Sequence, residues 1–255
     1  MKPPKRKWIQ KISRWSKTQE IHPDITQEDP TFQTLYSKCK PFSMTSIERM
    51  YALYKGIEYI VKNDIPGDIV ECGVWKGGSA MMAAYALIHF GDTQRNIYLY
   101  DTYAGMTEPS KEDIRYSHDR QEAVLKWKQL QREHHNDWCY APLEEVRTNL
   151  RTTHYPETRL IFVEGKVEET IPKHLPDLIA LLRLDTDWYA STKHELIHLF
   201  PLLSRNGLLL IDDYGHWAGA KKATDEFFLT KPLFLARVDG TCRVAVKTSE
   251  GPYGT

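Results

Sequence analysis

The sequence predicts an α/β fold, a mostly parallel sheet with helices on both faces. Three observations predict it. From residue 68 onward, short apolar runs alternate with helical stretches, and such alternation argues right-handed β–α–β crossovers. Two of the runs, residues 178–184 and 207–211, are continuously apolar, as suits strands covered on both sides. Each is closed by carboxylates, Asp185-Thr186-Asp187 and Asp212-Asp213, which fall at the carboxyl edge of the sheet, where open α/β folds bind ligands.

Residues 1–17 carry Lys2, Lys5, Arg6, Lys7, Lys11, Arg14 and Lys17 with no acid. Trp8, Ile9, Ile12 and Trp15 share one side if this segment is helical. It reads as a solvated basic tail or a helix packed on its own domain or a sister subunit, with a foot on an anionic surface as the alternative. Residues 18–43, punctuated by Pro23, Pro30 and Pro41, read as an irregular arm, so that 1–43 precede a single domain over 44–255. Thr45-Ser46-Ile47-Glu48 fits a capping box. Ile47, Met50, Tyr51, Tyr54, Ile57 and Val61 then follow at helical spacing until Pro66-Gly67 stops the helix.

The first strand is expected over 68–73, and Gly77-Gly78-Ser79 opens the next helix. Further strands are expected over 96–101, 159–163, 178–184 and 207–211, with a helix over 191–205 between the last two. Residues 233–238 and 242–246 flank Asp239-Gly240, a hairpin signal that adds an antiparallel edge. Residues 103–157 are too long for a simple crossover. With helical sequence over 119–135 and 142–150, they read as a lid over the carboxyl edge.

Composition excludes several classes. The chain has 255 residues, 41% hydrophobic and 27% charged, with 34 basic and 34 acidic side chains in balance. No global field points to nucleic acid. Cys39, Cys72, Cys139 and Cys242 form no short-spaced ligand set, so a zinc site is not expected and a reducing, cytoplasmic setting fits. No apolar stretch is long enough for a transmembrane segment.

The residues that carry chemistry cluster at strand ends. Glu71-Cys72-Gly73-Val74-Trp75-Lys76-Gly77-Gly78-Ser79 is a glycine-rich strand-to-helix turn, which lets a ligand approach closely and offers free N–H groups to an anionic group. The alternative is a tight turn that binds nothing. Asp101 ends the second strand, where an acid can accept hydrogen bonds from both hydroxyls of a ribose or cap its own turn. The converging acids Asp185, Asp212 and Asp213 would repel one another without a cation, and a hard dication such as Mg²⁺ suits oxygen ligands. His134 and His135 read as solvated surface, Trp75 and Trp188 as packing, and His216 as a solvent-facing loop residue.

Taken in order, these segments resemble the macrocin O-methyltransferase family of class I S-adenosylmethionine-dependent methyltransferases. The resemblance rests on residues 65–79, on Tyr100-Asp101-Thr102-Tyr103-Ala104-Gly105-Met106, on residues 182–189 with Ser191-Thr192, and on Asp212-Asp213-Tyr214-Gly215 through Trp217, Gly219, Ala220 and Ala223 to Phe227. It implies a Rossmann-like, seven-stranded sheet with an antiparallel last strand. It implies S-adenosylmethionine across the first two strand ends, with Gly73 and Ser79 bordering its methionine part, Asp101 at the ribose, Gly165 beside the adenine, and Glu71 and Gly77 also among the donor-binding residues. It further implies Mg²⁺ on Asp185, Asp212 and Asp213, a small hydroxyl-bearing acceptor such as a sugar of a natural product, and a homo-oligomer.

Coordination to a dication lowers a hydroxyl's pKa and aims its oxygen at the sulfonium methyl, with Asp185 or Asp187 to take the proton. Asp187 could equally be a support for its neighbours or the N-cap of the next helix. The competing readings are a nucleotide-cofactor oxidoreductase, against which the missing GxGxxG counts, and a non-catalytic donor-binding or scaffold protein.

Overall fold

The computed structural model describes residues 25–115 and 122–248. The basic segment over 1–17 and the first residues of the helix expected from 119 lie outside them.

Helices and strands alternate from Ile47 to Phe227. The order is α1 (Ile25–Glu28), α2 (Pro30–Cys39), α3 (Ile47–Lys62), β1 (Asp68–Cys72), α4 (Gly78–Phe90), β2 (Ile97–Asp101), α5 (Glu122–Leu130), α6 (Leu143–Arg151), β3 (Leu160–Glu164), α7 (Val167–Thr170), β4 (Ile179–Leu184), α8 (Tyr189–Leu199), β5 (Leu203–Ile211), α9 (Ala218–Phe227), β6 (Ala236–Arg237) and β7 (Arg243–Val246). The seven strands lie in the order β3-β2-β1-β4-β5-β7-β6. β3 to β5 run parallel, and β7 pairs antiparallel with both β5 and β6. The chain order reverses between β1 and β4, which makes their tips the switch point where ligands of open α/β sheets bind.

Each face of the sheet carries its own core. On one, Met50, Ile57 and Ile60 of α3 and Met81, Met82 and Leu87 of α4 pack on Ile69, Leu99 and Leu181. On the other, Leu196 and Leu199 of α8 and Phe227 of α9 pack on Val70, Leu182 and Leu209. All six residues of β4 are buried, as a run apolar but for Arg183 requires.

The structure departs from the sequence-based expectations at several elements, among them the helix expected over 119–135, whose described part ends at Leu130. Within the expected irregular arm, residues 30–39 form α2. Pro30 stands at its first turn, where a missing N–H costs nothing, and Asp29 caps it by accepting from Phe32 N at 2.9 Å. The α3 cap is Ser46, whose Oγ accepts from Arg49 N at 3.2 Å; Arg49 holds the position where a capping box would need Glu or Gln. The helix expected over 191–205 ends at Leu199, because Pro201 sits in a 3₁₀ turn and β5 begins at Leu203. The expected hairpin forms, but its first arm shortens to Ala236–Arg237. Among the described residues no helix is long and apolar enough to cross a membrane.

Candidate active site

Register brings the site together. Cys72 is level with Tyr100 on one side and Leu184 on the other, and Leu184 is level with Ile211. The next residue on each strand is therefore Gly73, Asp101, Asp185 and Asp212, a row of four adjacent tips. Neighbouring strands lie about 4.8 Å apart, so acids on the β4 and β5 tips must meet. One oxygen each from Asp185, Asp212 and Asp213 lies within 4.8 Å of the others.

The acids are held from beneath by a cation the sequence reading passed over. Arg183 is a fully paired charge inside a buried strand: Nη1 donates to Glu71 Oε1 at 2.6 Å, and Nη2 reaches Asp185 Oδ2 and Asp212 Oδ1, both at 2.8 Å. Glu71 is its level partner on β1, and strand period two puts Arg183 and Asp185 on one face. Arg49 of α3 binds the other oxygen of Asp212 and, through Nε at 2.8 Å, Asp239 in the hairpin turn. An arginine within an otherwise apolar strand was the available signal, because a buried guanidinium requires carboxylate partners.

Positive charge from Arg183 and Arg49 does not exhaust the acids. Each carboxylate oxygen has two lone pairs, and Asp213 Oδ2 is buried with no hydrogen-bond partner. Burial pushes the Asp185 and Asp213 carboxyls well above the usual range, with neighbouring acids adding to it. Three oxygen donors, one orphaned, suit a hard dication. Burial, then the charge of Asp185, pushes Asp187 up to about 8. Asp187 stands outside the trio, in the left-handed backbone region with φ 66°, and accepts from Trp217 Nε1. It does not cap α8. That role falls to Asp113 of the insertion, whose Oδ1 accepts from Tyr189 N at 2.7 Å. Gly219 makes room for this, since a Cβ there would lie 2.1 Å from Asp113 Oδ1.

A cavity of about 690 Å³ opens on this edge. Gly73, Trp75, Ser79, Asp101, Asp185, Asp187, Asp212 and Asp213 all line it. Gly73, with φ 83°, is required where it stands, because a Cβ would fall 2.0 Å from Asp185 O. Gly77 is the left-handed N-cap of α4, next to the lining residues Gly78 and Ser79. Gly165 borders a smaller adjoining cavity that shares Gly73, Asp101 and Asp185. Glu71 lies behind the wall, committed to Arg183. Asp101 is more occupied than expected: Oδ2 accepts from Val74 N at 2.6 Å and Trp75 N at 3.0 Å, and Oδ1 from Tyr103 N at 2.8 Å. The Thr102 hydroxyl reaches Oδ1 as well, at 3.5 Å, so all four lone pairs have a donor and an outside donor would displace this longest contact.

The insertion supplies the facing wall, with Met106, Arg115, Ala123, Lys126 and Trp138. His216 is half-buried in the cavity wall rather than solvent-facing. Trp188, Trp217 and Trp138 form an aromatic cluster, with ring centres 4.9 to 6.2 Å apart.

Comparison with known proteins places this arrangement among relatives. The sequence profile of the macrocin-O-methyltransferase (TylF) family matches residues 12–244. The chain is 33% identical, over 202 residues that make up 78% of it and 73% of the relative, to an 8-demethyl-8-(2,3-dimethoxy-α-L-rhamnosyl)-tetracenomycin-C 4'-O-methyltransferase of Streptomyces olivaceus. It is 30% identical to a demethyldecarbamoylnovobiocin O-methyltransferase of Streptomyces niveus, covering 72% of this chain and 67% of that one. Among solved structures, the O-methyltransferase NovP superposes with a TM-score of 0.71 at 28% identity, covering 82% of this chain and 83% of the other.

Proposed function

Because the chain belongs to the macrocin O-methyltransferase family, we propose that it transfers a methyl group from S-adenosylmethionine to a hydroxyl of a sugar or other small natural product, with Mg²⁺ held by Asp185, Asp212 and Asp213. The observation that carries this reading is that one cavity is lined both by the glycine-rich β1–α4 turn and by the acids of the β4 and β5 tips. Family membership removes the oxidoreductase alternative.

The methyl donor belongs along the β1 and β2 tips, where Gly73 and Ser79 line the cavity and the α4 N-terminus offers free N–H groups to the donor's carboxylate. Gly105 and Gly165 flank the smaller cavity on the adenine side. When bound, Mg²⁺ would act as a Lewis acid that lowers the pKa of the acceptor hydroxyl. Asp187 takes that proton. It lines the cavity, stands outside the metal trio and is oriented by the Trp217 indole. Arg183 and Arg49 hold Asp212 in place while leaving lone pairs on both its oxygens. The insertion walls the cavity on the far side, and its closure over bound substrate would exclude water.

The test is twofold. S-Adenosylmethionine should raise the melting temperature by mass action, and labelled methyl transfer to rhamnosyl glycosides should vanish on dialysis against EDTA and return with Mg²⁺. No stabilisation at millimolar donor sinks the donor site. Transfer that survives chelation sinks the metal while sparing the methyltransferase reading.

A further inference from the structure

The acids of the cavity are matched by cations, but two cations of the same cavity are left over. Arg49 and Arg183 are committed to Asp212 and its neighbours. Arg115 and Lys126, on the insertion, also line the cavity. Neither is ion-paired among the described residues, and Arg115 Nε is buried with no hydrogen-bond partner. Glu122, the acid that this wall contributes to the lining, already has a partner.

The two are held in place by the aromatic wall. Arg115 pairs through its backbone with Trp217. The Lys126 ammonium sits 3.9 Å from the centre of the Trp138 ring, itself 6.2 Å from that of Trp217. His216 stands beside Trp217, their rings 5.2 Å apart. His216 adds a further hydrogen-bonding group to the same wall. A half-buried guanidinium with an idle donor is costly unless an anion completes it. Several charge-assisted donors around one space suit an anion with many oxygens, and an arginine fork matches phosphate geometry.

We propose that the acceptor is a glycosyl phosphate, a sugar whose hydroxyl is presented to Asp185 and Asp187 while its phosphate is bound by Arg115 and Lys126. The proposal rests on the methyltransferase reading above and narrows its acceptor. It covers a sugar 1-phosphate and a nucleoside diphosphate sugar, which share the phosphate on the anomeric oxygen. Methylation would then precede transfer of the sugar, so a glycosyl- or nucleotidyltransferase reaction must consume the product.

The experiment uses the full chain saturated with S-adenosylhomocysteine and Mg²⁺, and three probes: methyl rhamnoside, rhamnose 1-phosphate and a nucleoside diphosphate rhamnose. Calorimetry should show the phosphate-bearing probes binding at least about tenfold more tightly than the neutral glycoside, as two charge-assisted contacts imply. The stronger of the two phosphate probes identifies which source fits. In the double variant Arg115→Gln, Lys126→Gln the advantage should fall to within about twofold, with S-adenosylhomocysteine affinity unchanged. Equal affinity for all three probes, no binding of either phosphate probe, or an advantage that survives the double variant (phosphate held by Mg²⁺ or elsewhere) would overturn the proposal. Since S-adenosylhomocysteine is measured separately, its failure to bind would instead indict the methyltransferase reading.

Discussion

The two walls of the cavity are built in opposite ways. The strand-tip wall carries Asp185, Asp212 and Asp213 on adjacent parallel strands whose register leaves them no freedom. Its charges are buried and cross-braced by Arg183 and Arg49. The insertion wall carries Arg115, Lys126 and Trp138, placed by loop contacts such as the Arg115–Trp217 bridge and the Asp113 cap on α8, and among the described residues no acid ion-pairs with these two cations. On the proposed reading, the methyl-transfer chemistry would sit where geometry is fixed, and the surface meeting the variable part of an acceptor would sit where sequence can change without disturbing the sheet.

Substitutions can break this contrast, and the largest effect is expected at Asp187. Asp187→Asn should lower kcat by about 10²–10⁴-fold, the usual contribution of a positioned base, with S-adenosylhomocysteine affinity intact by calorimetry. An equal loss of donor affinity would move Asp187 into the donor pocket. Next comes stability. Arg183→Met leaves Glu71 buried without its cation and Asp212 with Arg49 alone, which should cost about 3–5 kcal/mol in urea unfolding. Arg115→Gln breaks no side-chain ion pair or hydrogen bond among the described residues and should stay within about 0.5 kcal/mol. Comparable losses would erase the distinction between the walls.

The seam between them is sharpened by Asp113→Ala. Loss of the α8 cap should cost about 1 kcal/mol and speed hydrogen exchange at Tyr189 more than at the β4 amides. The smallest effect is at the hairpin. Burial alone would raise Asp239, but the Cys242 and Thr241 N–H groups and the Arg49 guanidinium bring it down to about 2. A carboxyl lowered on folding stabilises fully above its ordinary range and loses that contribution as pH falls through the folded value. Wild type should therefore lose stability between about pH 4 and pH 2 more steeply than Asp239→Asn. Parallel acid titrations would deny Asp239 its part in tethering Arg49.

Most of the strand-tip wall was legible in the sequence. Apolar runs ended by Asp101, Asp185 and Asp212 announced both the strands and the acids at their ends, because a buried parallel strand must be apolar and its first polar residue marks where it leaves the core. The helix α2 was misread because Pro30 is a breaker inside a helix and a good start at its first turn, a difference that only its position settles. Asp101 was read as a ribose acceptor or as the cap of its own turn; the fold forms the turn cap from Tyr103 N and adds donors from Val74 and Trp75.

By itself the sequence determined the α/β alternation, the antiparallel edge and the identity of the acids, since each depends on local periodicity and on residues close together in the chain. Tertiary structure alone decided that Arg49, Arg183 and Asp239, drawn from a helix, a strand and a hairpin, close around those acids, and that Arg115 and Lys126 face the same space with no ion-pair partner among the described residues. Such pairings join residues far apart in sequence through packing and burial, and burial is what turns a charge from a solvated ornament into one that must find a partner.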